Sequence, residues 1–169
     1  MDNSVKKQKK LTPLAWVAKL MVLVAVFNVV SCGCKDKGQQ KLSMTGNNIS
    51  GKDRKAKVTI KNEGEQELDL AATNVTFEAK ITIKAKSGQQ ASNKECKVGS
   101  HSVKVGSSLN KALKEIIGEN KISAGGTKDV EIEFAVDPAK DESATAELTI
   151  KDGAGKEMTS YTVKLESIT

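Results

Sequence analysis

The sequence predicts a mainly β fold, an antiparallel β-sandwich of about seven or eight strands with one short inserted helix near residues 108–117. Three observations predict it. Apolar residues recur with period two along most of residues 41–169; clusters of Gly, Asn, Asp and Pro separate the alternating runs; and one stretch alone shows helical spacing.

The elements follow in order. Ala56, Val58 and Ile60 alternate with Lys55, Lys57, Thr59 and Lys61, then Asn62-Glu63-Gly64 supplies a turn and Leu68 and Leu70 resume the alternation. Val75, Phe77, Ala79, Ile81, Ile83 and Ala85 alternate without a break. Val98 opens a short run continued by Val103 and Val105. Leu109, Leu113, Ile116 and Ile117 instead recur at helical spacing, with Ser108 placed to cap the start and Gly118 the end, so a helix is expected over Leu109–Ile117, covering an open end of the core or forming a partner-binding ridge. Val130, Ile132, Phe134 and Val136 return to period two; beyond the Asp137-Pro138 turn so do Ala144, Ala146, Leu148 and Ile150. Asp152-Gly153-Ala154-Gly155 is a hairpin signal, and Tyr161, Val163 and Leu165 close the chain. Alternation of this kind gives each strand one buried and one wet face.

Two local patterns carry a resemblance. Val58 to Gly64 followed by Leu68-Asp69-Leu70 is similar to a hairpin of bacterial immunoglobulin-like domains, and Ile122 to Phe134 (ISAGGTKDVEIEF) is similar to a later hairpin of the same class. The resemblance implies an immunoglobulin-like architecture, without the buried Trp and paired cysteines of antibody domains.

The 169 residues carry a net charge of +6, and most of the excess lies at the start of the chain. Residues 1–31 hold Lys6, Lys7, Lys9, Lys10 and Lys19 against Asp2 alone, leaving the remainder nearly balanced. Leu20 to Val30 (LMVLVAVFNVV) is an apolar run of h-region length, shorter than the roughly 20 residues of a spanning helix. It ends in Val29-Val30-Ser31-Cys32, which resembles the lipobox of bacterial lipoproteins. The resemblance implies cleavage between Ser31 and Cys32 and a lipid-modified Cys32 at the mature N-terminus. Two or three acyl chains, at about 0.8 kcal/mol per buried methylene, hold a domain at a bilayer without a protein span. The expected organisation is a signal peptide over 1–31, a flexible Gly-, Lys- and Gln-rich tether over 32–40 and the sandwich over 41–169. Gly33 after the cysteine, where some such proteins carry a retention aspartate, mildly favours the outer membrane over the inner.

Few residues are available for chemistry. Cys96 is open to a disulfide with Cys34, to an intermolecular bridge or to a free thiol. Cys96 and His101 would form the only thiol–imidazole pair, which needs hydrogen-bonding reach and an orienting third group. No HExxH, GxSxG, GxxxxGK[ST] or CxxC stretch occurs, so no catalytic residue, metal site or cofactor is expected. Lys52, Arg54, Lys55 and Lys57 form a small basic cluster interrupted by Asp53, expected on a solvated sheet edge. With Phe77 and Phe134 in core phase, nucleic-acid binding is not expected. The sequence therefore points to a non-catalytic binding or structural module, anchored in the cell or outer membrane through acyl chains and periplasmic or surface-exposed. Its partner would be a protein or surface macromolecule; the rival expectation is a thiol-active or enzymatic envelope protein using Cys96 and His101.

Overall fold

In the computed structural model, which describes residues 40–169, most of the alternating runs form strands. The elements are β1 (Leu42–Gly46), β2 (Ile49–Gly51), β3 (Lys55–Asn62), β4 (Leu68–Asp69), α1 (Leu70–Thr73), β5 (Thr76–Ala85), β6 (Glu95–Val98), β7 (His101–Lys104), β8 (Ser108–Ala112), α2 (Leu113–Ile117), β9 (Lys121–Ile122), β10 (Thr127–Glu133), β11 (Asp141–Lys151) and β12 (Glu157–Ile168). They form two five-stranded sheets, ordered β1-β3-β10-β6-β7 and β2-β12-β11-β5-β8, and a small ribbon of β4 and β9. Pairing is antiparallel except where β2 runs parallel to β12. This is an immunoglobulin-like β-sandwich. The count exceeds eight because β1, β2 and β9 lie outside the alternating runs and β8 takes the place of the first half of the expected helix.

The inward phase of each strand is the predicted one. Val58 and Ile60 of β3 and Val130 and Ile132 of β10 meet Phe77 and Ile81 of β5, Ala146, Leu148 and Ile150 of β11 and Val163 and Leu165 of β12 in one continuous core. Phe77 and Phe134 are the largest side chains buried completely. The chain changes sheets between β1 and β2 beside Gly46, where a Cβ would lie 2.9 Å from the Lys57 carbonyl and 3.0 Å from the Tyr161 ring, so only glycine fits. The Tyr161 hydroxyl donates to the Gly46 carbonyl and ties the two sheets there. Asp152–Lys156 closes the β11–β12 hairpin as the turn residues predict, with the Asp152 carboxylate accepting from the Ala154 and Lys156 N–H groups.

Three expectations require correction. The helix predicted over Leu109–Ile117 is confined to Leu113–Ile117; Ser108 to Ala112 is instead a strand on β5, with Leu109 opposite Ala79. A helix over the whole stretch would leave the Phe77–Lys80 edge of β5 without ladder partners, and that cost outweighs a short amphipathic stripe. The C-terminal end is as expected, with Gly118 left-handed at φ 71° and its N–H bonded to the Lys114 carbonyl. Leu113 and Ile116 are buried against the core, as befits a cover helix.

The second correction concerns Leu70, which begins helix α1 rather than continuing a strand. Asp69 caps that helix, its Oδ1 accepting from Ala71 N (2.9 Å) and Ala72 N (3.1 Å); those two N–H groups hold its carboxyl below the usual range.

Third, neither resembling pattern forms a local hairpin: β4 pairs with β9, Leu68 opposite Ile122, while β3 and β10 pair with each other in the main sheet. Buried Asn62 is the cause. Its Nδ2 donates to the carbonyls of Gln66, Ile122 and Ser123 at 2.8, 3.0 and 3.2 Å, its Oδ1 accepts from Gly64 N, and its backbone exchanges bonds with Gly125 and Gly126. One side chain thus stitches two loops over the end of the core. The basic cluster lies where β1 no longer pairs: β1 covers β3 only from Val58 to Asn62, so Lys55 and Lys57 have β10 on one side and no strand on the other, the edge position expected of them.

Candidate functional site

Ser31, Cys32 and Cys34 lie outside the described residues, as do the segment expected to be a signal peptide and most of the expected tether. The first strand begins at Leu42, whose partner Asn62 is the last residue of β3, so the chain joins the sandwich at the end closed by the 62–67 and 122–126 loops. Among the described residues, no helix is long and apolar enough to cross a membrane, and no group of three His, Cys, Asp or Glu side chains could hold a metal ion.

Cys96 and His101 share a hairpin but not a contact. The register sets Cys96 opposite Val103 and His101 opposite Val98. The Cys96 side chain is fully buried, its Sγ accepting from Ala135 N at 3.4 Å, whereas His101 Nε2 lies 3.4 Å from the Glu115 carbonyl of α2. Burial pushes the Cys96 thiol up against the opposing pull of the Ala135 N–H, and the Asp141 and Glu133 charges raise it further, so the nucleophilic thiolate is disfavoured. Native protein should therefore resist iodoacetamide at Cys96. In denaturant without reductant it should take up the label there; uptake only after reduction would reveal a disulfide instead.

Three of the four basic side chains of the cluster, Arg54, Lys55 and Lys57, are engaged within the protein. On the outer face of β3, Lys55 Nζ sits 2.8 Å from Glu131 and 3.9 Å from Glu133 of β10, and Lys57 Nζ sits 2.6 Å from Asp129. Lys57 and the Thr59 hydroxyl hold the Asp129 carboxyl below its usual range. Arg54 donates to the carbonyls of Gly51 (2.6 Å), Asp53 and Thr169 (both 3.1 Å), fastening the C-terminus. What looks in sequence like a basic patch is a ladder of cross-strand ion pairs, each exposed and energetically small.

A concave feature lies at the opposite end from Leu42. Loop 86–94 crosses from β5 to β6 and, with the turn after β10, encloses a cleft of about 710 Å³ lined by residues 88–94 with Asp137 and Lys140. Its foundation is Asp141, a fully buried carboxylate at the start of β11. Oδ1 accepts from Ser92 N (2.9 Å), while Oδ2 accepts from the Ser92 hydroxyl (2.6 Å) and Asp137 N (2.6 Å). Burial alone would raise this carboxyl, but the Asp137 and Ser92 donors outweigh it and hold it below the ordinary value. Lys86 N bonds to the Lys140 carbonyl at 2.7 Å, and Lys86 Nζ to the Pro138 carbonyl at 2.6 Å, so the loop is pinned at both ends. Neither Asp141 nor this loop stands out in sequence: Gly-Gln-Gln-Ala-Ser-Asn carries no motif, and only its lack of apolar residues marks it.

No family model and no curated protein matches the chain. Solved structures do. The PapD-like domain 7 of human CEP192 aligns with TM-score 0.43 and 12% identity, over 83% of this chain and 93% of that one. The archaellum periplasmic stator protein FlaG from Sulfolobus acidocaldarius gives 0.36 and 13%, over 73% and 98%. A collagen-binding domain from a Staphylococcus aureus adhesin gives 0.30 and 10%, over 75% and 97%. At these identities the likeness is one of fold alone.

Proposed function

We propose that this chain is a lipid-anchored bacterial envelope protein whose sandwich is a non-catalytic binding or structural module, periplasmic or exposed at the cell surface. The Val29-Val30-Ser31-Cys32 motif behind a basic head and an apolar run supports the anchor. The observation that carries the module is the strand register. It places Leu42, where the tether arrives, at one end of the sheets and the 86–94 and 134–140 loops at the other, so a domain tethered at its first strand has its cleft at the end remote from the tether. The membrane contact is the acyl group on Cys32, and the partner is a macromolecule met by the remote loops.

Replacing Cys32 with Ala tests the anchor. The expected result is an unprocessed precursor that takes up no labelled fatty acid; label that persists in this variant contradicts the assignment. Protease treatment of intact cells then divides the surface-exposed form, which is cleaved, from the periplasmic form, which is protected.

A further inference from the structure

The geometry points to the cleft between loop 86–94 and the β10–β11 turn as a binding site for an acidic saccharide, recognised by Lys94 and Lys140 with the side-chain amides of Gln89, Gln90 and Asn93. The inference rests on the binding-module reading and names its ligand class. At about 710 Å³ the cleft is of ligand-binding size, yet its only non-polar lining comes from Gly88 and Ala91. That lining offers nothing to a lipid tail or an aromatic ligand. It suits a ligand that is polar throughout.

The cleft lining carries Lys94 and Lys140 against Asp137 alone, with the Asp141 carboxylate buried beneath Ser92 and satisfied by three donors. Lys94 and Lys140 are exposed and, like more than half of the described lysines, have no carboxylate within ion-pairing distance among the described residues, so both ammonium groups are open to a ligand in the cleft. The one lining carboxylate, Asp137, has its Oδ1 engaged by Ala139 N within its own turn. The three amides make no hydrogen bond within the described protein, and each can donate twice and accept, the complement of vicinal hydroxyls on a sugar ring. Preorganisation comes from Asp141, which fixes Ser92 from beneath and so sets the floor against which the amides stand.

The test uses the full acylated chain in nanodiscs of neutral lipid, titrated calorimetrically with three oligosaccharides of matched length: hyaluronate for a carboxylate, dextran sulfate for a sulfate and dextran as the neutral control. Binding of at least one acidic chain but not of dextran is expected, and which acidic chain binds tighter identifies the anion. Lys94→Gln with Lys140→Gln should weaken binding about tenfold or more. Gln90→Ala with Asn93→Ala should weaken it about threefold while leaving its salt dependence unchanged, which loose ion attraction would not do. Lys164→Gln on the outer face of β12 should change nothing. Acidic-saccharide binding that survives both cleft pairs, or falls equally with Lys164→Gln, overturns the cleft while leaving a binding module. No binding of any acidic chain overturns the ligand class, and the module is then judged separately by partner capture with the Cys32→Ala form as its unanchored control.

Discussion

Phe77→Ala should lower the unfolding free energy by about 3–5 kcal/mol. Phe77 is completely buried on β5, a strand interior to its sheet, opposite Ile150 of β11 and Lys111 of β8. Burying an aromatic side chain of this size contributes about 2–3 kcal/mol by transfer alone, and the strands on either side cannot close over the vacated volume without breaking ladder bonds, which adds the cavity cost. Because domains of this size are stable by only about 5–15 kcal/mol, the variant should be marginal or unfolded at growth temperature. The aromatic-poor composition sharpens the expectation, since Phe77 and Phe134 are the only aromatics buried completely among the described residues. Urea unfolding of the two proteins measures the difference. A loss below about 1 kcal/mol would mean that Phe77 does not anchor the core as described.

Asp141→Asn should destabilise by about 2–3 kcal/mol at neutral pH, and the effect should fade in acid. The carboxylate accepts from three donors, and a carboxamide must turn its NH2 toward at least one of them, setting donor against donor in a buried site. The sign with pH follows from linkage. The folded-state pKa of Asp141 is lowered, so its contribution is fully present above the unfolded value of about 3.9 and is lost as pH falls through the folded value. The gap in unfolding free energy between wild type and Asp141→Asn should therefore be widest at about pH 7 and narrow as pH falls below the unfolded value of about 3.9. A gap independent of pH would show that the carboxylate is not charged in the folded protein. Since the same side chain pins Ser92, protection of the 92–94 amides from hydrogen exchange should fall in the variant as well.

Period two made the strands legible because a half-buried strand must alternate, whatever it pairs with. The runs at 55–61, 75–85, 130–136, 144–150 and 161–165 all keep their predicted inward phase. Pairing is a different matter, since it is decided by residues distant in sequence. Leu68 finds Ile122 because Asn62 holds both loops, and nothing in Asn62-Glu63-Gly64 announces more than a turn. Ser108–Ala112 is helix-compatible in isolation and becomes strand because β5 needs a neighbour. The same reason hid the fate of the basic cluster: Lys55 and Lys57 look unneutralised until β10 brings Glu131 and Asp129 alongside. The cleft was the least legible feature, being formed by two polar loops whose composition is ordinary and whose order comes from one buried carboxylate.

The proposed lipid on Cys32, which would hold this sandwich at a membrane, has a direct chemical test. Mass spectrometry of the N-terminal peptide from membrane-extracted protein tests it most directly. The account predicts a peptide beginning at Cys32 whose mass exceeds that of the bare sequence by a diacylglyceryl group, with or without an N-acyl chain. A peptide beginning upstream of Cys32, or one beginning there with no added lipid, would contradict it.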